Sequence, residues 1–327
     1  MQRGMEMKRK LLYVVFIISI FAVYLLSGCG QEASNADVLK IGILPNEEVL
    51  PVYVAQEEGF FEKHGIDVEI VNFQSAAERD AAIQAGAVDG VEGDLLAVAL
   101  IRQGGTPVKA VSLAMGTTPE EGRFAMLAAP GTIESVDELK GKKIAISKNT
   151  IIEYVADQML LAKGIKPQEV QKVNIAKMPL RAEMLLQGEV TAAVLPDPLA
   201  VHAELKGAKV LVDDTKLSDN ISQSVYFFRD DVIKNKKSAI RRFLQAFGEG
   251  AEAVTENPEK YRDLFIEKVN IPVELQSSYP IPSFSPLELP AEKDTQRVLD
   301  WLRDNNLLTE DYSYTDIVTD EVIKMID

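Results

Sequence analysis

The feature that most limits how this chain can fold is an internal repeat. Residues 39–46 (LKIGILPN) match 142–149 (KKIAISKN), and residues 79–97 (RDAAIQAGAVDGVEGDLLA) match 181–200 (RAEMLLQGEVTAAVLPDPLA). Matched residues lie 101 to 103 positions apart, and each copy covers about 58 residues. Two copies of this length are too few and too long for a solenoid. The sequence therefore predicts two similar folded units.

Each copy is predicted to alternate strands with helices. The elements expected in the first copy are strands at 38–44, 68–71 and 88–91, and helices at 52–63, 75–85 and 94–103. Short parallel strands joined by helices form a doubly wound α/β sheet. Ligands bind beyond the carboxyl ends of such strands, so two facing units would surround one cleft.

Two extended apolar segments adjoin the second copy, and we interpret them as hinge crossings between the units. They are residues 122–130 (GRFAMLAAP) and 223–231 (QSVYFFRDD). The predicted lobes are 38–118 together with 229–327, and 119–228. The chain after the second crossing is predicted to be mostly helical, with Trp301 in the core.

The N-terminus has the pattern of an export signal. Basic residues up to Lys10 precede an apolar stretch at 11–26, and Ser27 and Gly28 follow it. A helix of this length spans roughly 24 Å, less than the ~30 Å of a bilayer core. We therefore interpret residues 1–28 as a cleaved signal peptide, with an uncleaved membrane anchor as the alternative.

Composition limits the partners and cofactors. The formal net charge of −15 argues against nucleic acid as a partner, because a phosphate backbone requires a basic surface. Cys29 is the only cysteine, so no disulfide can form within the chain, and the small polar residues of 29–37 are predicted to be a tether. His64 and His202 have no Cys or His neighbours at metal-binding spacing, and the sequence has no glycine-rich phosphate loop. We expect neither a metal nor a cofactor.

Several segments resemble known families. Leu26-Ser27-Gly28-Cys29 resembles the lipobox of bacterial lipoproteins, in which the cysteine carries a diacylglycerol. Three further segments resemble the substrate-binding lipoproteins of ABC importers, of the sulfonate, nitrate and thiamine-precursor (NMT1/SsuA-like) type. They are PVYVAQEEGFFEKHGIDVEI (51–70), AAIQAGAVDGVEGD (81–94) and LKGKKIAI (139–146). Residues 280–308 resemble the C-terminal helical part of the same group.

This resemblance implies a two-lobed type II periplasmic-binding-protein fold that closes on a solute by hinge bending. It also implies a protein anchored through Cys29 to the extracytoplasmic side of a membrane, which delivers its solute to an ABC permease and ATPase. We expect a monomer. Some relatives are enzymes of thiamine-pyrimidine synthesis with a cysteine-rich motif and catalytic histidines, which this chain lacks, so we expect no enzyme activity. A sensor lipoprotein with the same two lobes is the other alternative.

The loops at the predicted strand ends supply the candidate binding residues. In the first unit these are Asn46, Glu47, Phe73, Gln74, Glu92, Asp94, Gly116 and Thr117. In the second unit they are Ser147, Asn149, Thr150 and Asp197. The repeat makes Asp94 and Asp197 equivalent, and they would face each other across the cleft.

Several candidates also have a purely structural explanation. Residues 147–150 open a helix, whose N-terminus can bind an anion, but Asn149 or Thr150 can equally well cap that helix. Asp94 and Asp197 are good helix caps as well. Arg123 is expected either to contact an anionic solute or to be exposed.

Carboxylates predominate at the predicted cleft. They are Glu47, Glu48, Glu92, Asp94 and Asp197. Facing carboxylates repel a small inorganic anion and favour an amine, a protonated heterocycle or an N–H-rich ring, on which Phe73 could stack. We therefore expect a nitrogen-bearing organic solute, either thiamine-precursor-like or sulfonate-like.

Overall fold

Each copy of the repeat supplies three strands to one of two five-stranded sheets. A computed structural model describes residues 38–326, so the predicted signal peptide (1–28), Cys29 and the tether (29–37) lie outside the described residues. The strands of the described part are β1 (Val38–Ile43), β2 (Asp67–Asn72), β3 (Gly90–Gly93), β4 (Val108–Met115), β5 (Phe124–Ala128), β6 (Lys143–Ile146), β7 (Gln171–Asn174), β8 (Ala192–Pro196), β9 (Lys209–Asp213) and β10 (Ser224–Arg229).

Both sheets follow one topology. The first has the order β2-β1-β3-β10-β4, and the second has the order β7-β6-β8-β5-β9. The strands of the repeat are parallel to one another within each sheet. The remaining inner strand, β10 or β5, is antiparallel to both of its neighbours. The matching order confirms the predicted pair of similar α/β units.

The segments predicted as hinge crossings contain strands. Residues 124–128 form β5 inside the second sheet, and residues 224–229 form β10 inside the first. Both strands are apolar because they are buried within a sheet, and not because they pass between the units. The chain passes from one sheet to the other just before each of them, at 116–123 and 214–223. The predicted lobe boundary at 228 is therefore wrong, because β10 belongs to the first sheet.

Helices surround both sheets. Those of the described part are α1 (Leu50–Glu57), α2 (Phe60–Lys63), α3 (Ala76–Gln84), α4 (Leu95–Gln103), α5 (Ile151–Ala162), α6 (Met178–Leu186), α7 (Leu199–Leu205), α8 (Asp230–Asn235), α9 (Lys237–Glu256), α10 (Arg262–Val269), α11 (Glu292–Asp304) and α12 (Tyr314–Ile317). The single helix predicted at 52–63 is divided into α1 and α2 by Gly59, whose φ of +71° is left-handed. Between residues 38 and 326, no helix is both long enough and apolar enough to cross a bilayer.

Helix α11 contacts both halves of the molecule. It packs on α4 beside the first sheet, and Trp301 on α11 reaches α5 beside the second. The Trp301 and Tyr154 rings pack in a T-shaped arrangement with 5.6 Å between centroids, and Trp301 Nε1 donates to Asp157 Oδ2 at 3.1 Å. Trp301 is 6% exposed, which confirms its predicted place in the core.

Helices α9 and α1 touch at Gly250. A Cβ atom at this position would lie 2.2 Å from the carbonyl oxygen of Pro51 and 3.3 Å from the amide nitrogen of Ala55. At Gly248 in the same helix, a Cβ atom would meet only the Leu287 side chain, at 3.3 Å. The helix crossing therefore requires glycine at 250 and can tolerate alanine at 248.

We expect Gly250→Ala to lower the free energy of unfolding by about 1–3 kcal/mol, because the added methyl group must push α9 away from α1. Gly248→Ala is the matched control and should be neutral or stabilising by up to ~1 kcal/mol, because alanine favours the helix. Urea unfolding followed by far-UV circular dichroism measures both. Equal effects of the two substitutions would contradict this account of the crossing.

Candidate functional site

A cavity of about 60 Å³ lies where the carboxyl ends of the two sheets meet. Polar lining residues that follow the first-sheet strands are Asn46, Glu48, Arg79, Glu92 and Asp94. Those from the second half are Ser147, Thr150 and Arg181, and the passage between the sheets adds Ser222 and Gln223. The rest of the lining is largely apolar and includes Leu44, Phe124, Ile151, Ile152, Met178 and Pro196. Both halves therefore contribute to one site.

The first half places carboxyl groups against this cavity. Burial raises the pKa of Glu48 to about 7, and burial together with the neighbouring Glu48 raises the pKa of Glu92 well above its usual value. Oε2 of Glu48 and Oε2 of Glu92 are both shielded from solvent, and neither accepts a hydrogen bond of normal geometry, although Ser224 lies beside Glu48 and Asn46 beside Glu92. These two oxygens can accept hydrogen bonds from a bound molecule.

Asp94 and Arg79 compensate each other in the same half. The Asp94 Oδ1 atom accepts from the Ala97 amide at 2.8 Å and so caps α4, as one of its two interpretations predicted. Arg79 on α3 donates through Nε to Asp80 Oδ1 at 2.9 Å and lies 3.8 Å from Asp94 Oδ2. The guanidinium of Arg79 is thus buried between two carboxylates.

Arg181 in the second half is a buried cation without such compensation. Its Nε donates to the Val194 carbonyl at 2.9 Å and its Nη1 to the Ile175 carbonyl at 2.8 Å, while Nη2 is buried without a partner. Among the described residues, no carboxylate offsets its charge, since burial alone shifts its pKa. Burial lowers its pKa to about 10, so the group remains charged at neutral pH. A buried, unpaired charge is costly, and an anionic group in the cavity would offset that cost.

Arg79 and Arg181 are equivalent in the repeat, and sequence reasoning missed both. The two matched segments begin with these arginines, at positions 79 and 181. The predicted binding residues lie at strand ends, whereas both arginines lie within the helices α3 and α6 and reach the cavity through their long side chains. The available signal was a matched pair of cations at one position of a duplicated unit.

The structure brings together only part of the predicted binding set. Five candidates line the cavity: Asn46, Glu92, Asp94, Ser147 and Thr150. A second cavity of about 280 Å³ adjoins the first, with Asn46, Met178 and Pro196 in both linings, and contains the candidates Gln74 and Asp197. Five candidates line neither cavity: Glu47, Phe73, Gly116, Thr117 and Asn149.

Three of these outlying residues have local structural roles. The Gly116 and Thr117 amides donate to the Glu121 carboxylate at 3.1 and 3.0 Å and so shape the first passage between the sheets. The Phe73 ring is partly buried and packs on the core, where it covers Gly42 of β1. The predicted stacking role of Phe73 therefore finds no support in this geometry.

Helix α5 begins with a local cap. Thr150 Oγ1 accepts from the Ile152 amide at 3.3 Å and donates to the Ser147 carbonyl at 2.8 Å. Asn149 adopts a left-handed φ of 57°, and its amide donates to Glu153 at 2.8 Å. The capping interpretation is confirmed for Thr150, which also lines the cavity.

Asp197 is not a helix cap, in contrast to its counterpart Asp94. The N-cap of α7 is Pro198, and no side chain caps that helix. Asp197 Oδ1 instead accepts from Arg123 Nη1 at 3.2 Å, and Arg123 also contacts Glu204 at 2.9 Å and Asp213 at 3.0 Å. Arg123 is thus neither exposed nor directed at the cavity, because three carboxylates hold it.

Comparison with known proteins identifies the family and the fold of this chain. The family described as NMT1/THI5 like matches residues 46–261. The taurine-binding periplasmic protein of Escherichia coli is 26% identical over 244 residues, which cover 72% of each chain. The crystal structure of the periplasmic aliphatic sulphonate binding protein SsuA from Escherichia coli superposes with a TM-score of 0.71 at 20% identity, over 86% of this chain and 92% of that one. The periplasmic-binding-protein fold is therefore confirmed.

A relative that is named as an enzyme, and not as a binding protein, also matches this chain. The 4-amino-5-hydroxymethyl-2-methylpyrimidine phosphate synthase THI13 of Saccharomyces cerevisiae is 24% identical over 233 residues, which cover 66% of each chain. The two histidines of the present chain lie away from the cavity, His64 at Glu249 (2.8 Å) and His202 at Glu274 (3.7 Å). The described residues contain no group of His, Cys, Asp and Glu that could hold a metal ion.

The raised carboxyl pKa values predict how stability depends on pH. A carboxyl with a raised pKa keeps its proton in the folded state, so stability falls as pH rises from the unfolded value of about 4.5 to the folded value of about 7 for Glu48. Glu48→Gln should remove this loss and stabilise the solute-free protein at pH 8 by about 1–3 kcal/mol, with little effect at pH 4.5. Chemical denaturation at both pH values measures the difference.

Glu256→Gln is the control for this prediction, because Glu256 is exposed at the end of α9. It should leave the stability unchanged at either pH. If Glu48→Gln destabilised the protein at pH 8, the carboxylate of Glu48 would have to be stabilised by partners that this structure does not contain.

Proposed function

Because the chain belongs to the NMT1/THI5-like family, we propose that it is the solute-binding component of an ABC importer. It would capture a small organic solute between its two halves and deliver it to a membrane permease with its ATPase. The observation that carries this proposal is the shared cavity whose polar atoms without a hydrogen-bond partner come from both halves. A site divided in this way binds tightly only when the halves are together, which is what capture and release require.

The unpartnered atoms indicate the chemistry of the solute. Glu48 and Glu92 offer acceptors on one side, which suit an amine or another N–H donor. Arg181 offers a charged donor on the other side, which suits a sulfonate or carboxylate. We therefore propose a nitrogen-bearing organic solute that also carries an anionic oxygen group. The second cavity leaves room for a larger organic part.

The same site supports binding rather than catalysis. Its lining contains neither histidine nor cysteine, the two residue types that the thiamine-pyrimidine enzymes are expected to use. The names of the sulfonate- and taurine-binding relatives favour a transport role over that of the synthase. Transport also accounts for the predicted export signal, which a cytosolic enzyme would not need.

We further propose the cellular arrangement that the N-terminus predicts. Residues 1–28 would direct export and be removed, and Cys29 would carry the lipid that holds a monomer on the extracytoplasmic face of a membrane. The mature chain would then consist of a tether, a first lobe of 38–118 with the C-terminal region, and a second lobe between the two passages. Two or more acyl chains suffice for stable anchoring.

Three small molecules with the same three-carbon chain test the proposed solute chemistry. We expect 3-aminopropane-1-sulfonate to bind at least about tenfold more tightly than propane-1-sulfonate or 1-aminopropane, since hydrogen bonds to charged groups contribute about 1.5–3 kcal/mol. Isothermal titration calorimetry measures the three Kd values. Glu48→Gln should reduce the preference for the amine-bearing sulfonate over propane-1-sulfonate, and Glu256→Gln should not. Equal affinity for the two sulfonates would exclude an amine subsite at Glu48 and Glu92.

Lipidation has its own test. Cells that express the protein and are fed a radiolabelled fatty acid should label it, and Cys29→Ser should abolish the label and release the protein from the membrane fraction. Ser27→Ala, which keeps a small residue in the lipobox-like segment, is the control and should remain labelled. A labelled Cys29→Ser protein, or an unlabelled wild type, would disprove anchoring through Cys29.

A further inference from the structure

A second polar cluster joins the two halves outside the solute cavity. The Tyr279 hydroxyl donates to Glu47 Oε1 at 2.6 Å, and the Asp197 carboxyl lies within hydrogen-bonding reach of the same hydroxyl. Glu47 follows β1 of the first sheet, and Tyr279 stacks on Phe265 of α10 on that side, with 6.1 Å between centroids. Asp197 follows β8 of the second sheet. The hydroxyl is hydrogen-bonded to Glu47 and lies beside Asp197, so it stands between two carboxyl groups that belong to opposite halves. We call this arrangement the Glu47–Tyr279–Asp197 bridge.

This bridge has too few protons for two ionised carboxylates. A tyrosine hydroxyl has one hydrogen to donate, so it can satisfy one of the two groups. The other must face an oxygen lone pair and a second carboxyl, which is favourable only if one of the carboxyls is protonated. Glu47 is 8% exposed and Asp197 is 9% exposed, so water does not relieve this arrangement.

The surrounding charges do not remove the need for a proton. Arg123 faces Asp197, but it is shared with Glu204 and Asp213. Glu48 lies near Glu47 and adds negative potential. Burial raises the pKa of Glu47 to about 8, with the Asp197 charge as the next cause, and burial raises the pKa of Asp197 to about 6 against the opposing effect of Arg123.

We propose that the Glu47–Tyr279–Asp197 bridge couples closure of the two halves to the uptake of a proton. The idea rests on the proposed function, since closure is what holds a solute. When the halves separate, Asp197 leaves the hydroxyl and both carboxyls can ionise. An acid with a raised pKa in the closed form favours closure at low pH and opposes it as pH rises through that value. Solute is therefore held more tightly near pH 6.5 than near pH 8.5.

The first test compares Kd values for 3-aminopropane-1-sulfonate in the wild type and in Glu47→Gln. The ratio of the wild-type Kd to the Glu47→Gln Kd should rise by about three- to tenfold between pH 6.5 and 8.5, because one linked proton changes an equilibrium by at most tenfold per pH unit. The ratio isolates Glu47 from the titration of the cavity carboxyls. A ratio that stays constant across this range would overturn the proposal.

Glu78→Gln is the matched control for the Kd comparison. Glu78 on α3 lies 3.8 Å from Lys177 at the start of α6, so it also joins the two halves, but on the exposed surface and with no histidine beside it. This substitution can change the Kd, but the change should be the same at pH 6.5 and 8.5. A pH-dependent effect of the same size would mean that any carboxyl contact between the halves behaves this way.

A second measurement needs no solute. A double-mutant cycle of Glu47→Gln and Asp197→Asn in urea unfolding should give a coupling that changes with pH, by at least twofold in the unfolding equilibrium constant from pH 6.5 to 8.5. A coupling that does not vary with pH would overturn the bridge even if the probe binds. If the probe fails to bind while the coupling varies with pH, the proposed solute chemistry fails and the bridge stands.

Discussion

Each sheet is completed by an inner strand that enters directly from the far edge of the other sheet. Strand β5 follows the edge strand β4, and β10 follows the edge strand β9. Because each inner strand pairs with two neighbours, neither sheet reaches its full hydrogen bonding until the chain has passed between the halves twice. This reciprocal exchange ties the halves at one side and leaves the carboxyl ends of the repeat strands around a common cavity.

The cavity inherits the symmetry of the repeat in position but not in charge. Arg79 and Arg181 occupy equivalent places, yet Arg79 lies against Asp80 and Asp94, whereas Arg181 contacts only carbonyl oxygens. The repeat therefore contains two equivalent arginines. The charge of Arg79 is neutralised by carboxylates, whereas the charge of Arg181 has no carboxylate partner. A buried charge without a partner is destabilising, and a strongly perturbed charge in a cleft is a candidate functional group.

Much of the architecture could be predicted from the sequence, because hydrophobic periodicity and duplication act locally. The strands of the repeat, the cap at Asp94, and the core position of Trp301 all follow from short-range patterns. The position of β10 could not be predicted in this way, because a buried antiparallel strand and an extended crossing between the halves have the same apolar composition.

The site was less accessible to sequence reasoning, because it depends on contacts between distant parts of the chain. Tyr279 meets Glu47 across 232 positions, and no local signal marks that pairing. Asp197 between two prolines has the pattern of a helix cap, but tertiary pairing with Arg123 decides its role. Arg181 reaches the cavity only through the length of its side chain.

The division of the cavity into an acidic and a basic side would also affect how the proposed solute leaves. A molecule held by Glu48 and Glu92 at one end and by Arg181 at the other would be attached in the manner of a chelate, with each end fixed to a different half. If the halves move apart, the effective concentration of the free end at its own partner falls toward zero. Opening alone would then turn strong two-point attachment into weak one-point attachment, and the solute could depart without any rearrangement inside either half.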